Sequence, residues 1–171
     1  MIKQAIIPLA GLGTRLLPLT SVFAKELLPI NGKPGLEYII NECIDAGIKE
    51  IIFIISKRKM MIKKYFYNDK FYKDLIKKKK DPRVIDEYKK ILRFRKMIKF
   101  VYQNKPKGTG DAVLKTKKHI KDKYFLMLLP DDLIIKKNCS KSMIKSHKKY
   151  KASVMASMSV NKKTVERWGI Y

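Results

Sequence analysis

Gln4 to Arg15 reads QAIIPLAGLGTR. Gln4–Leu9 is a compact apolar run that fits a buried strand, and it opens at once into glycines. Two glycines directly after a buried strand let the backbone approach a ligand closely, and successive N–H groups there can bind phosphate oxygens. Arg15 adds a fork that can clamp phosphate, and Lys25, in the same long loop, adds a mobile point charge. The letters are neither a P-loop, since no G-x-x-x-x-G-K-[ST] occurs, nor a dinucleotide fingerprint, since the third glycine is absent. A tight surface turn would satisfy the same pattern.

Outward from this stretch, helices and strands alternate. Gly35–Ala46 puts Leu36, Ile39, Ile40, Cys43 and Ile44 on one helical face, and Gly47 supplies a stop. Glu50–Ile55 is a β-branched run expected to be a buried strand. Lys59–Lys99 is charged with helical periodicity, enough for two or three helices, and Asp81-Pro82 reads as an N-cap with proline at the first helical position. Lys99–Tyr102 is a short strand, Asp111–His119 a helix, Tyr124–Leu129 a fourth and almost wholly apolar strand. Ser140–Lys149 is expected to be helical and Ala152–Val160 extended, while Val165–Tyr171 begins a further element. Alternation of this kind predicts an α/β fold with a mostly parallel sheet.

Such sheets bind ligands beyond the carboxyl ends of their strands. The residues after the strands carry chemistry: the glycine turn and Arg15 after the first, Gln103 and Lys107-Gly108-Thr109-Gly110 after the third, Pro130-Asp131-Asp132 after the fourth. Gln103 can both donate to and accept from a base edge. Asp131 and Asp132 suit Mg²⁺, which takes oxygen ligands and often only one or two from protein. Each of these, taken alone, has an ordinary reading as a solvated glutamine or a turn aspartate. His119 and His147 read as surface residues, Cys43 as core, and Met60, Met61, Met155 and Met158 as packing.

Composition narrows the class. The chain has 171 residues, 46% of them hydrophobic, enough for one domain with a real core and too many for a disordered tail. No apolar run is long enough to cross a membrane, and Met1–Leu9 lacks the features of a signal peptide. Two cysteines do not make a disulfide framework, so a reducing, cytoplasmic setting is expected. Lys and Arg total 40 against 15 acids, a formal net charge of +25. That charge is spread along the chain, with short runs at Lys77–Lys80 and Lys148–Lys149, and no nucleic-acid motif accompanies it; no specific nucleic-acid partner is expected. It would still attract phosphate-bearing small molecules.

In combination the motifs say more. From Ala10 to Ile48 the string AGLGTRLLPLTSVFAKELLPINGKPGLEYIINECIDAGI resembles the bacterial UTP–glucose-1-phosphate uridylyltransferases, of the sugar-phosphate nucleotidyltransferase family. The resemblance resumes at Tyr102-Gln103-Asn104, at Lys107–Val113 and at Leu129–Asp132, and faintly at Trp168-Gly169-Ile170. It implies a Rossmann-like nucleotide-diphospho-sugar transferase fold, with 1–171 as one domain incomplete at its C-terminus. By resemblance Ala10, Gly11, Gln103 and Gly108 would hold uracil, with Gly13, Thr14 and Glu26 also on the nucleotide. Arg15 and Lys25 would hold the triphosphate as catalytic residues. Asp131 would bind Mg²⁺, and Asp132 and Gly169 would lie near the sugar. UTP and glucose-1-phosphate are the implied substrates; a homo-oligomer is left open.

Three departures stand out. The family's usual proline before the lysine is Ala24 here, a histidine common in its second glycine block is Asp111, and a tyrosine is Trp168. The family's sugar-gripping glutamate–lysine pair and its second metal-binding aspartate are expected after Tyr171. Two other readings remain at this level: a dTTP-using thymidylyltransferase, suggested by Leu16–Thr20, and a non-catalytic basic protein that binds nucleic acid.

Overall fold

β1 (Gln4–Pro8) is the axis of a four-stranded sheet in a computed structural model that describes residues 2–134 and 136–161. A hairpin of β2 (Pro29–Ile30) and β3 (Lys33–Pro34) follows the long loop, then α1 (Gly35–Asp45), β4 (Glu50–Ile55), α2 (Met60–Tyr67), α3 (Asp69–Lys79), α4 (Pro82–Met97), β5 (Ile98–Tyr102), α5 (Gly108–Lys115), β6 (Leu126–Met127) and α6 (Cys139–Tyr150). The sheet order is β5-β4-β1-β6 and every pairing in it is parallel.

Strand periodicity divides the core in two. Ala5, Ile7, Ile51, Phe53 and Ile55 face α1, α2, α4 and α6, meeting Leu36, Ile40, Phe66, Phe94 and Ile144. Ile6, Ile52 and Ile54 point the opposite way, onto Ala112 of α5. β1 and β4 are therefore buried on both faces, which is why their sequences are continuously apolar. Parallel crossovers keep one hand. The chain runs from β1 to β4 to β5 in one direction, then reverses past β1 to β6, so the α5 crossover lies on the other face. That reversal leaves a crevice between β1 and β6, the place where open α/β sheets hold ligands. α3 adds no core but stacks Tyr72 on Tyr88 of α4, rings 5.1 Å apart, and joins Asp69 to Arg95 at 2.8 Å.

The charged stretch resolves into three helices, and Asp81 caps α4 by accepting from the Arg83 N–H at 2.9 Å. Glu42 on α1 accepts from both the N–H and the hydroxyl of Ser140, tying the start of α6 to α1.

Several expectations need correction. The fourth strand is only two residues, not Tyr124–Leu129. Leu128 N–H donates to Ile6 O, and the next β1 residue facing that edge is Pro8, which has no N–H to extend the ladder. Ala152–Val160 forms no strand: no described strand pairs with it, and Met155 and Met158 are 58% and 68% exposed rather than packed. Met60 and Met61 do pack against the core. His147 is half-buried, its ring 4.4 Å from that of Tyr124, and its Nδ1 contacts Ala152 O, while His119 is exposed. The β2–β3 hairpin was not anticipated, although Asn31-Gly32, with φ of 47° and 76°, is the turn its geometry requires. Among the described residues no helix is long and apolar enough to cross a membrane. Trp168, Gly169 and the element expected at Val165–Tyr171 lie outside the described residues.

Candidate active site

The loop after β1 is shaped by Gly13, which has φ +71° and opens the single-turn helix Thr14–Leu16 that carries Arg15. A Cβ at Gly13 would meet Thr20 Cγ2 at 3.0 Å, and the Thr20 hydroxyl donates to Gly13 O at 2.8 Å. The turn is thus closed by its own loop and needs glycine. Arg15 and Thr14 stand exposed on it.

A cleft of about 300 Å³ opens at the carboxyl ends of β1, β4 and β5. Ala10 and Leu12 line it from the first loop, Ser56, Lys57 and Arg58 from the turn after β4, and Gln103 and Asn104 from the loop after β5. Gln103 is 6% exposed and tightly oriented. Its backbone N–H donates to Ile55 O at 2.9 Å. Its Nε2 donates to Asp111 Oδ2 at 2.7 Å and to Gly108 O at 3.1 Å. Both amide hydrogens are therefore committed, and Oε1 is left as an acceptor. Asp111, one of the departures from the family pattern, is what fixes that orientation.

On the other side of β1, Lys25 Nζ meets Asp131 Oδ2 at 2.9 Å. Two residues far apart in the chain, each expected in the site from sequence, are in contact across the β1–β6 crevice. Burial opposes the Asp131 charge, but the hydrogen bond and charge of Lys25, joined by the charge of Arg15, hold its carboxyl below the usual carboxylate range. Asp132 is exposed beside it. Ala24 precedes Lys25 and donates its N–H to Met61 Sδ at 2.9 Å, a bond that proline could not make.

Glu26 is not open to solvent. It is 3% exposed and pairs through Oε2 with the buried Lys59 Nζ at 2.7 Å. Gly169 lies outside the described residues. Sequence reasoning missed Ser56, Lys57, Arg58 and Lys59, although they directly follow β4, where the carboxyl-end rule applied to the other strands would have found them. Cys43 offers no nucleophile: it is fully buried, and burial, with the Glu42 charge, pushes its thiol up to about 12. Among the described residues no three His, Cys, Asp or Glu side chains form a metal-holding group by themselves.

Glycine turns, cations and one ionised carboxylate gathered at the switch point of a parallel sheet make an α/β site whose chemistry suits phosphate. The nucleotidyl transferase family model matches residues 4–170, and the chain belongs to that family. It is 35% identical over 170 residues to UTP–glucose-1-phosphate uridylyltransferase 2 of Staphylococcus saprophyticus, a match that takes in 99% of this chain and 58% of the relative. It is 36% identical over 177 residues to the UTP–glucose-1-phosphate uridylyltransferase of Streptococcus pyogenes, covering 99% and 57% respectively. The fold matches the UTP-bound UDP-glucose pyrophosphorylase (UGPase) from Acinetobacter baumannii with a TM-score of 0.80 and 34% identity, over 89% of this chain and 54% of that one. The chain thus spans a little under three fifths of the length of the curated relatives it matches.

Proposed function

We propose that this chain carries the nucleotide half of a uridylyltransferase site, in which UTP and glucose-1-phosphate give UDP-glucose and pyrophosphate. The contact of Lys25 with Asp131 in the β1–β6 crevice carries the reading, because it puts a phosphate-binding cation and an ionised carboxylate at the switch point. The uridylyltransferase names of the similar proteins support it. In this account a glucose-1-phosphate oxygen attacks the α-phosphorus of UTP in line and pyrophosphate leaves. No protein nucleophile is needed, so rate comes from positioning and from neutralising phosphate charge.

The described residues take these roles from their settings, and Gly169 takes its role from the family resemblance alone. Gln103 Oε1 accepts from the ring N–H of uracil, with Ala10, Gly11 and Gly108 letting the base approach the backbone. Gly13 and Thr14 shape the phosphate turn. Arg15 and Lys25 bind the triphosphate and draw charge toward the leaving pyrophosphate. Asp132 and Gly169 fall to the sugar side. The donor set fits Mg²⁺: Asp131 is ionised, its side chain is 57% exposed, and one oxygen is engaged by Lys25, as expected where one or two carboxylates share the ion with substrate phosphates. When bound, that ion supplies further neutralisation of phosphate charge. The two unpaired cysteines support a cytoplasmic setting.

The test is pyrophosphate release from UTP plus glucose-1-phosphate and Mg²⁺, alongside Asp131→Asn. Release that is lost in the variant supports the reading; release that survives it removes Asp131 from the site.

A further inference from the structure

We infer that Lys59 is a positioning residue for Lys25, acting through Glu26, so that the two ion pairs form one brace across the carboxyl edge of the sheet; this rests on the proposed nucleotide site. Lys25 and Glu26 are consecutive in a single helical turn, Lys25–Leu27. Their side chains go opposite ways. Glu26 reaches the segment after β4 and meets Lys59 at 2.7 Å, while Lys25 reaches the segment after β6 and meets Asp131 at 2.9 Å. The brace therefore runs from β4 to β6, over the end of β1. A second contact holds the same loop to the same segment, the Ala24 N–H on Met61 Sδ.

The burial of the inner pair argues against a role in stability alone. The side chains of Lys59 and Glu26 are 8% and 1% exposed. Glu26 Oε1 is buried with no hydrogen-bond partner among the described residues. A buried ion pair with an unsatisfied oxygen is a poor stabiliser, and well-packed apolar side chains of similar volume commonly serve the fold as well or better. What the pair supplies is a fixed direction for the turn that carries Lys25. Without it, a lysine on a loop has many rotamers to lose before it can meet a phosphate.

The experiment measures UTP and UMP binding by calorimetry on the whole chain. Replacing the pair together, Lys59→Met with Glu26→Leu, avoids stranding one buried charge; Glu26→Gln, which keeps the shape, is the second variant. UTP affinity is expected to fall on the order of tenfold in both, with UMP affinity unchanged, because only UTP carries the phosphates that Lys25 serves. Lys59→Arg should retain binding. In a Lys25→Ala background the Lys59→Met/Glu26→Leu change should cost nothing more, since positioning acts only through Lys25. Equal losses for UTP and UMP, or full additivity with Lys25→Ala, would overturn the inference and leave a structural pair. UTP binding untouched by either variant would overturn it too. Failure of the unaltered protein to bind UTP would instead overturn the nucleotide site on which the inference rests.

Discussion

Replacing Asp111 by Ala should weaken the choice of nucleobase while leaving the fold intact. Gln103 Nε2 donates to Asp111 Oδ2 at 2.7 Å and to Gly108 O at 3.1 Å. Flipping the amide would turn an oxygen onto both acceptors. The bond to the charged carboxylate is worth about 1.5–3 kcal/mol and the neutral one about 0.5–1.5 kcal/mol. With Asp111 present, Oε1 stays turned outward as an acceptor, which the proposed site uses for the ring N–H of uracil. Cytosine offers an acceptor at that ring position, so two acceptors would face each other. Without Asp111 only the weaker Gly108 bond resists the flip. The lost bias corresponds to a roughly tenfold to hundredfold drop in the preference for UTP over CTP. The ion pair from Lys115 to Asp111 is 3.8 Å long and its lysine half-exposed, so its loss adds little. Titration of UTP, CTP and dTTP into the unaltered and variant proteins by calorimetry measures the effect. The dTTP to UTP ratio should not move, because thymine and uracil share the edge that Gln103 meets. An unchanged UTP to CTP ratio in the variant would refute the oriented amide as the base reader.

Three further outcomes follow from the same geometry. Phe53→Ala removes a fully buried ring that lies 5.8 Å from Phe100 and 6.0 Å from Phe66; chemical denaturation should show a loss of about 3–5 kcal/mol. Gly13→Ala forces a side chain into φ +71° and toward Thr20, which should cost about 1–2 kcal/mol in the turn and show as weaker UTP binding with a nearly unchanged core. Burial would raise the carboxyl of Glu50, but hydrogen bonds from Lys99, Gln4 and Lys121 outweigh it and hold the group below its ordinary value. Its folded-state affinity for a proton is depressed, so its stabilisation is present above the unfolded value and is lost as pH falls through the folded one. Urea unfolding across acidic pH should show that decline, and Glu50→Gln should flatten it.

The central sheet was legible because burial on both faces leaves little choice of residue. Ile6, Ile7 and the run Ile51–Ile55 are apolar at both parities, and α1 carries its core at helical spacing. The edge was less so. Apolar content at Tyr124–Leu129 reports a capacity to be buried, whereas the ladder depends on which neighbour has a free N–H, and Pro8 has none facing that edge. Ala152–Val160 has the alternation of a strand without a described partner, and alternation alone does not make one. In the site, Gly13, Gln103 and Asp131 could be found because they follow strands. The contact of Lys25 with Asp131 spans 106 positions and that of Glu26 with Lys59 spans 33. No local pattern marks a pair so separated; only the fold brings the charges together, and only there does Glu26 turn inward.

The most direct test is to titrate UTP with Mg²⁺ into isotopically labelled protein and follow the backbone amides by NMR. Saturable shifts are expected at Gly11–Arg15, Gln103, Gly108 and Asp131, with the opposite end of the sheet, around Ile2 and Tyr124, left still. Shifts confined to that opposite end, or spread over the exposed lysines without saturation, would contradict a nucleotide site at the β1–β6 crevice.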